Sequence, residues 1–295
     1  MNHAEYPFTG HYRTVNGFQM HYLDEGPNNG EPLLMLHGNP SWSYLYRKPV
    51  QALRERFRCI VPDHIGMGLS EKPGPGAYEH TLSRRIDDLE QLLEQLAPGP
   101  PLTLILHDWG GMIGMGYACR HPDRIKRLVL MNTAAFHLPA HIRMPWQLRL
   151  ARLPWIGALL IQGCNAFCRG AIEQGVVRGP VPPEVRRAYL APYDSWQHRL
   201  AVLRFVEDIP LHETDPAYRT VSAIENGLPQ FQDLPVLACW GMQDFIFDGR
   251  FLEEWVKKFP AAEVHRFEDA GHYLLEDAAE ETVFLIRQFL DRHHR

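Results

Sequence analysis

Five short runs of apolar residues dominate the pattern of this chain: "PLLMLHG" (32–38), "RCIVPD" (58–63), "LTLIL" (102–106), "RLVLMN" (127–132) and "LPVLACWG" (234–241). None alternates between apolar and polar residues, as a strand with one wet face would. Runs of this kind read as strands buried on both faces, which calls for a mostly parallel sheet covered by helices front and back. The text between the runs supplies those helices. "YLYRKPVQALRERF" suits one, and "LSRRIDDLEQLLEQL" (82–96) is amphipathic at helical spacing and stopped by Pro98-Gly99-Pro100. "GMIGMGYACRH" and "EETVFLIRQFL" add two more, and "AEVHRFEDAGH" adds a further strand. Near the start, Asn16-Gly17 marks the turn of a hairpin.

The alternation breaks after Thr133. From 134 to 218 the text is rich in Pro, Trp and Arg, with helical pieces and no clear strand. A chain of 295 residues accommodates one α/β domain with an insertion. The expected division is a core of 1–133 plus 219–295 and a helical cap of 134–218. The net charge of −5, with no long run of one sign, speaks against a nucleic-acid partner. No apolar stretch reaches the ~18 residues of a membrane span, and the start lacks the pattern of a secretion signal. Cys59, Cys119 and Cys239 fall in apolar segments and read as buried thiols, while Cys164 and Cys168 form a CxxxC. A reducing compartment, the cytoplasm, is the simpler expectation. The sixteen histidines are scattered, and none falls in a metal-binding spacing.

Asp108 ends the run "LTLILHD", and Trp109, Gly110 and Gly111 follow. In open α/β sheets the carboxyl ends of the strands are where ligands bind. A tight strand–turn–helix that presents one side chain upward is the nucleophile elbow, G-x-S-x-G. Asp108 stands where that motif has serine, Gly110 matches its last glycine, and Leu106 replaces the first. A carboxylate at a helix start also reads as an N-cap. Two later stretches favour chemistry over capping. Asp244 follows "VLACWG" in "GMQDFIFD", and His272 follows the next strand in "DAGHYLLED". Nucleophile, acid and histidine in that chain order is the order of α/β-hydrolases. Asp248 is the rival acid, but G-x-x-D directly after the strand favours Asp244.

With these residues the chain resembles the aspartate-nucleophile branch of the α/β-hydrolase fold, close to the haloalkane dehalogenases. The matching pieces are "HGNPSWSYLYR", "VPDHIGMGLSEKP", "HDWGG" and "DAGHYLLEDA". Within that branch it is most similar to the β-lactone decarboxylases of bacterial long-chain olefin biosynthesis. That likeness extends through the insertion and past it, in "MNTAAF", "MPWQ", "APYDSW", "FVEDIPL" and "DFIFD". The fold this implies is an α/β-hydrolase sheet with an inserted helical cap.

An aspartate is ionised at neutral pH and needs no base to attack carbon. Its ester can then be opened by water, for which His272 would be the base and Asp244 the group that orients the imidazole. Asn132 occupies a position where related dehalogenases sometimes carry a glutamate acid, and an amide cannot replace that charge. In dehalogenases the residues matching Asn39 and Trp109 hold the departing halide; here the same two donors would hold any developing negative charge. In the insertion, "RMPWQLRLARLPWIGALLI" (143–161) reads as packing between cap and core, or as a pocket for alkyl chains or a docking face for partner enzymes or lipid. Trp146, Tyr189, Tyr193 and Trp196 are the residues expected to line the pocket.

The resemblance implies decarboxylation of cis-3,4-dialkyl β-lactones to cis-olefins and carbon dioxide, with no metal or organic cofactor. Haloalkane dehalogenation would use the same residues. Epoxide hydrolysis would use two cap tyrosines, for which Tyr189 and Tyr193 qualify, but those enzymes usually carry an aromatic where Asn39 stands. A non-catalytic scaffold would predict a broken triad, and the triad is complete. The implied partners are a small hydrophobic substrate, other enzymes of olefin biosynthesis and peripheral contact with a membrane.

Overall fold

The computed structural model describes residues 5–99 and 101–294. Among these residues eight strands form one sheet in the order β1-β2-β4-β3-β5-β6-β7-β8. They are β1 (His11–Val15), β2 (Phe18–Glu25), β3 (Glu31–Leu36), β4 (Phe57–Pro62), β5 (Leu102–Asp108), β6 (Ile125–Thr133), β7 (Val236–Gly241) and β8 (Glu263–Phe267). The β1–β2 and β2–β4 pairs are antiparallel and all the others are parallel. The hairpin turns at Asn16 and Gly17, both at positive φ (49° and 91°), as a turn matching the strand twist requires. Every residue of β5 and of β7 is buried, which explains why neither run shows a polar alternation.

Among the described residues, twelve α-helices lie in chain order: α1 (Arg47–Leu53), α2 (Leu82–Leu96), α3 (Trp109–Arg120), α4 (Trp146–Ala151), α5 (Ile156–Ala158), α6 (Ala166–Gly175), α7 (Pro183–Leu190), α8 (Leu200–Glu207), α9 (Tyr218–Gly227), α10 (Gly249–Lys258), α11 (Leu274–Asp277) and α12 (Ala279–Arg292). Thr81 caps α2 by accepting the Arg84 N–H, and Ala97 ends it in the left-handed region just before Pro98. On the sheet, α2, α3 and α9 pack together, and α1 packs against α12. Between β6 and β7 the chain runs through α4 to α9 with no strand among the described residues.

Buried charges tie the parts together. Arg47 is fully buried and pairs with Glu276, and its guanidinium lies 4.1 Å from the centre of the Tyr44 ring. Arg85, on α2, pairs with Asp208 just beyond α8 at 2.9 Å. Cys59, Cys168 and Cys239 are buried, Cys164 is exposed, and Cys119 is only half-buried, at the seam of α3 and α9 with its thiol 3.7 Å from the Ile224 carbonyl; all five are free thiols.

Candidate active site

Asp108 sits at the carboxyl end of β5, where the chain must turn at once into α3. It does so with φ +53° and ψ −128°, a conformation that costs a non-glycine residue on the order of 1–3 kcal/mol. Its side chain makes no capping bond to α3, so helix capping does not explain it. Instead Oδ1 accepts the Asn39 backbone N–H at 2.6 Å, and Oδ2 faces His272 Nε2 at 3.7 Å. Two glycines permit this approach. A Cβ on Gly38 would stand 1.8 Å from Asp108 Oδ1, and one on Gly110 would stand 2.0 Å from the Leu36 carbonyl oxygen. Burial pushes the Asp108 carboxyl above its usual pKa, against the opposing pull of His272 and of the Asn39 and Trp109 N–H groups.

Asp244 lies in the turn after β7. Its Oδ2 is 2.8 Å from His272 Nδ1, and its Oδ1 accepts the Ile246 N–H at 2.7 Å. Burial opposes the carboxylate, but the charge and hydrogen bond of His272 and the N–H groups of Ile246 and Phe247 outweigh it, and the pKa falls. The same pairing acts in reverse on His272. Burial opposes the imidazolium, Asp244 and then Asp108 favour it, and the pKa rises. Asp248 is not part of this group: it caps α10 by accepting the Arg250 N–H and pairs with the Arg250 side chain. Asn132 carries no charge to His272. Its amide bridges the ends of β6 and β7, donating to the Gly241 carbonyl and accepting the Gly241 N–H, each at 2.9 Å. That bridge fixes the strand end from which Asp244 projects.

Several supporting residues were not apparent in the sequence. His107 Nε2 donates to the His272 carbonyl at 2.8 Å. Burial, reinforced by the neighbouring His272 charge, pushes the His107 ring down to about 3, so it is a neutral brace for the histidine loop. His37 Nδ1 donates to the Gly38 carbonyl at 2.8 Å, and the His64 N–H donates to His37 Nε2 at 3.3 Å. Burial lowers the pKa of His37, which fits a neutral ring that donates and accepts at once. Asp63, at the end of β4, accepts the N–H groups of Ser43 and Leu69 at 2.6 and 2.8 Å and pairs with His21 at 2.9 Å. Burial works against its charge, but these partners hold it at about 2. Asp63 and His37 thereby clamp the loop that presents Asn39. The signal available in sequence was position: Asp63 also ends an apolar run.

Asn39 donates one amide hydrogen to the Val202 carbonyl at 3.1 Å, and the amide has a second to offer. Trp109 packs edge-on against Phe205 with ring centres 5.3 Å apart, and its indole N–H has no acceptor among the described residues. Asn39, Asp108, Trp109 and His272 form the polar floor of a cavity of about 370 Å³. Its walls are apolar and come from both sides: Phe247 and Phe251 from the turn and helix after β7, and Phe136, Leu148, Leu160, Ile161 and Phe167 from the segment between β6 and β7.

The expected pocket residues divide. Trp146 lines the cavity at its rim, 69% exposed. Tyr189, Tyr193 and Trp196 do not line it. The amphipathic α7 turns Tyr189 inward, where it packs edge-on against Tyr44 and Tyr273 and donates to Glu276 Oε1 at 2.5 Å. The Tyr193 hydroxyl is fully buried, donates to the Ser41 carbonyl at 3.0 Å and accepts the Gly68 N–H at 3.3 Å. Trp196 lies on the outside, 53% exposed. Both tyrosine hydroxyls are therefore spent on structural partners and unavailable to protonate an epoxide oxygen. Among the described residues, no group of three or more His, Cys, Asp or Glu is arranged to hold a metal ion.

Comparison with known proteins identifies the family and the fold. A family model described as the alpha/beta hydrolase fold matches residues 31–279. The chain is 51% identical over 284 residues to a cis-3-alkyl-4-alkyloxetan-2-one decarboxylase of Shewanella oneidensis, covering 96% of this chain and 89% of that one. It is 49% identical over 299 residues to a protein of the same name from Xanthomonas campestris, covering 99% of each. A haloalkane dehalogenase of Mycobacterium marinum is 32% identical over 290 residues, covering 96% of this chain and 94% of that one. The crystal structure of the haloalkane dehalogenase DbeA from Bradyrhizobium elkani superposes with a TM-score of 0.86 at 26% identity, covering 97% and 99% of the two chains.

Proposed function

The chain belongs to the α/β-hydrolase fold family, and from that premise we propose that it is an enzyme that decarboxylates cis-3,4-dialkyl β-lactones to cis-olefins and carbon dioxide. The observation that carries this reading is the near-half identity, over almost the whole length, to two proteins named as decarboxylases of this substrate class. The cavity supports it: a charged and hydrogen-bonding floor for a small polar ring, under apolar walls for alkyl chains.

The catalytic residues in this reading are Asp108, Asp244 and His272, with Asn39 and Trp109 as donors to developing charge. Asp108 Oδ2 attacks the ring carbon that bears the ring oxygen. As that bond forms, the ring C–O bond breaks and its electron pair stays on oxygen, giving a carboxylate. Asn39 and Trp109 offer N–H groups to that charge, in a site where water is scarce and such donors are effective. The bond from carbon to the new carboxylate then breaks. Its electrons form the C=C bond, carbon dioxide departs, and the Asp108–carbon bond returns its pair to the aspartate. Inversion in the first step followed by anti elimination in the second turns a cis-lactone into a cis-olefin. No proton, water or cofactor enters the balance. Attack at the carbonyl carbon instead would give an anhydride and a ring-derived alkoxide, which needs a proton; His272 is placed to supply it.

Residues 134–218 act in this reading as a helical cap over a core of 1–133 plus 219–295. The lactone is supplied by other enzymes of olefin biosynthesis, with peripheral membrane contact, in the cytoplasm. A second activity, release of halide from haloalkanes, uses the same residues, with water opening the Asp108 ester under base catalysis by His272; the 32% identity to a dehalogenase favours it as a side reaction. The deciding experiment offers the purified protein a cis-dialkyl β-lactone, a bromoalkane and an epoxide. Olefin and carbon dioxide from the lactone are expected; fast halide release with no olefin overturns the reading. A single turnover in heavy-oxygen water distinguishes the routes, because only hydrolysis of an Asp108 adduct leaves label in the Asp108 peptide.

A further inference from the structure

The outer surface of the segment around α4 and α5 does not resemble the rest of the molecule. Trp146, Leu153, Trp155, Ile156 and Leu159 are exposed within fourteen consecutive residues. Trp155 is the extreme case, 88% exposed. Its backbone is also in the left-handed region, with φ +66°, a rare conformation for a bulky residue and a strained one. The surface extends to Trp196: a Cβ built on Gly163 would lie 3.3 Å from Leu159 and 3.5 Å from Trp196, so those two side chains flank the same glycine.

The segment that carries most of this surface has basic side chains and no acidic ones; the acids at its border, Asp215 and Asp194, are paired with Arg152 and His198. From Arg124 to Ile172 the chain contains no Asp or Glu, although its overall charge is −5. Arg152 is paired with Asp215. Arg143 and Arg149 are exposed, and their guanidiniums have no partner among the described residues. Trp146 and Arg149 are three residues apart, and so share one side of α4.

The geometry points to an anionic lipid surface as the occupant of this face. Exposed tryptophans interleaved with arginines, in a stretch of chain without acids, combine the apolar and cationic groups that settle at the boundary of an anionic bilayer. No helix among the described residues is long and apolar enough to cross a membrane, so the contact is with the surface. The position of the patch gives it a purpose. Arg143 and Trp146 belong to it and also line the cavity above Asp108. A water-insoluble substrate can therefore pass from lipid to cavity along one continuous wall. This delivery role rests on the proposed lactone substrate; the docking itself does not.

The test pellets the full chain with phosphatidylglycerol vesicles and, separately, with phosphatidylcholine vesicles. The wild type is expected to pellet with the anionic vesicles, less with the neutral ones, and less as salt is raised. Trp155→Asn and Arg149→Glu, both changes of exposed side chains, are each expected to weaken partitioning about tenfold without loss of fold. Neither residue lines the cavity, so turnover of lactone in detergent micelles should be unchanged, while turnover of vesicle-embedded lactone falls. A wild type that stays in the supernatant, equal pelleting with both lipids, or unaltered pelleting of both variants overturns the proposal. So does a wild-type dimer in sedimentation that Trp155→Asn dissolves, which would assign the face to a protein contact. Vesicle binding without lactone turnover would refute the proposed function and leave the docking surface standing.

Discussion

His272 Nε2 stands 3.7 Å from Asp108 Oδ2, while its Nδ1 lies 2.8 Å from Asp244 Oδ2. The histidine is held firmly on one side and loosely on the other. The loose side is where an atom of substrate or water can enter, since 3.7 Å is beyond a hydrogen bond but well within reach of charge. The cost of this arrangement falls on Asp108, which is buried with its pKa raised. An acid whose folded pKa is raised opposes folding once it is ionised.

Asp108→Asn should therefore have opposite effects on activity and stability. Turnover should fall by at least about 10⁴-fold, because the attacking oxygen is gone. The melting temperature at neutral pH should hold or rise, because a desolvated charge has been removed. Activity assays and calorimetry on the same preparation check both halves. A large loss of stability would mean that the carboxylate is structural.

The pH dependence follows from the shifts on His272 and Asp244. His272 is raised, so its contribution to stability is full below about pH 6.5, the unfolded value, and is lost as pH rises through the higher folded value. Asp244 is lowered, so its contribution is present above about pH 3.9 and is lost as pH falls through the lower folded value. Activity should separate by substrate. Hydrolysis of a haloalkyl adduct needs neutral His272, so its rate should climb with pH through the raised value. Olefin release by ring-carbon attack moves no proton and should lack that limb. Side-by-side profiles on a bromoalkane and a lactone check this.

Gly38→Ala should damage the site without replacing a charged residue. The added Cβ would stand 1.8 Å from Asp108 Oδ1, so either the carboxylate or the Asn39 loop must move. A displacement of this size should cost about 10²-fold in kcat. The loop is clamped by Asp63 and His37, so the protein should still fold, and circular dichroism with steady-state kinetics would show the two effects apart.

The parts of the site that were legible in sequence were those fixed by short-range rules. Asp108, Asp244 and His272 each follow their own strand, and a strand's carboxyl end can be read from where its apolar run stops. The helix from Leu82 to Leu96 was legible from its amphipathic spacing and from Pro98 after it; Thr81, which caps its start, carried no such signal. The cavity lining was not. Whether an aromatic residue faces the cavity depends on partners distant in sequence: Tyr189 is drawn to Glu276, 87 residues away, and Tyr193 to Ser41, 152 residues away. Composition marked the segment as aromatic but could not assign its faces. The braces His37, Asp63 and His107 were hidden for a related reason, since a buried polar residue reads like any other until its partner is in place.

Gly170 should set how long an alkyl chain the enzyme accepts. It lies on α6 in the cavity wall, and the nearest atom to a Cβ built there is the end of the Gln174 side chain at 3.6 Å. A larger side chain can therefore fill the cavity without straining the helix. In the middle of a helix, glycine is less favourable than alanine by about 1 kcal/mol, so Gly170→Leu should hold or raise the melting temperature. The same change removes apolar volume from the cavity, with each methylene denied burial costing about 0.8 kcal/mol of binding. For long-chain lactones kcat/KM should fall by about tenfold or more, through KM, while short-chain lactones are processed as before. A chain-length series on the two proteins measures this; an equal loss for all lengths would mean that the alkyl chain does not reach α6.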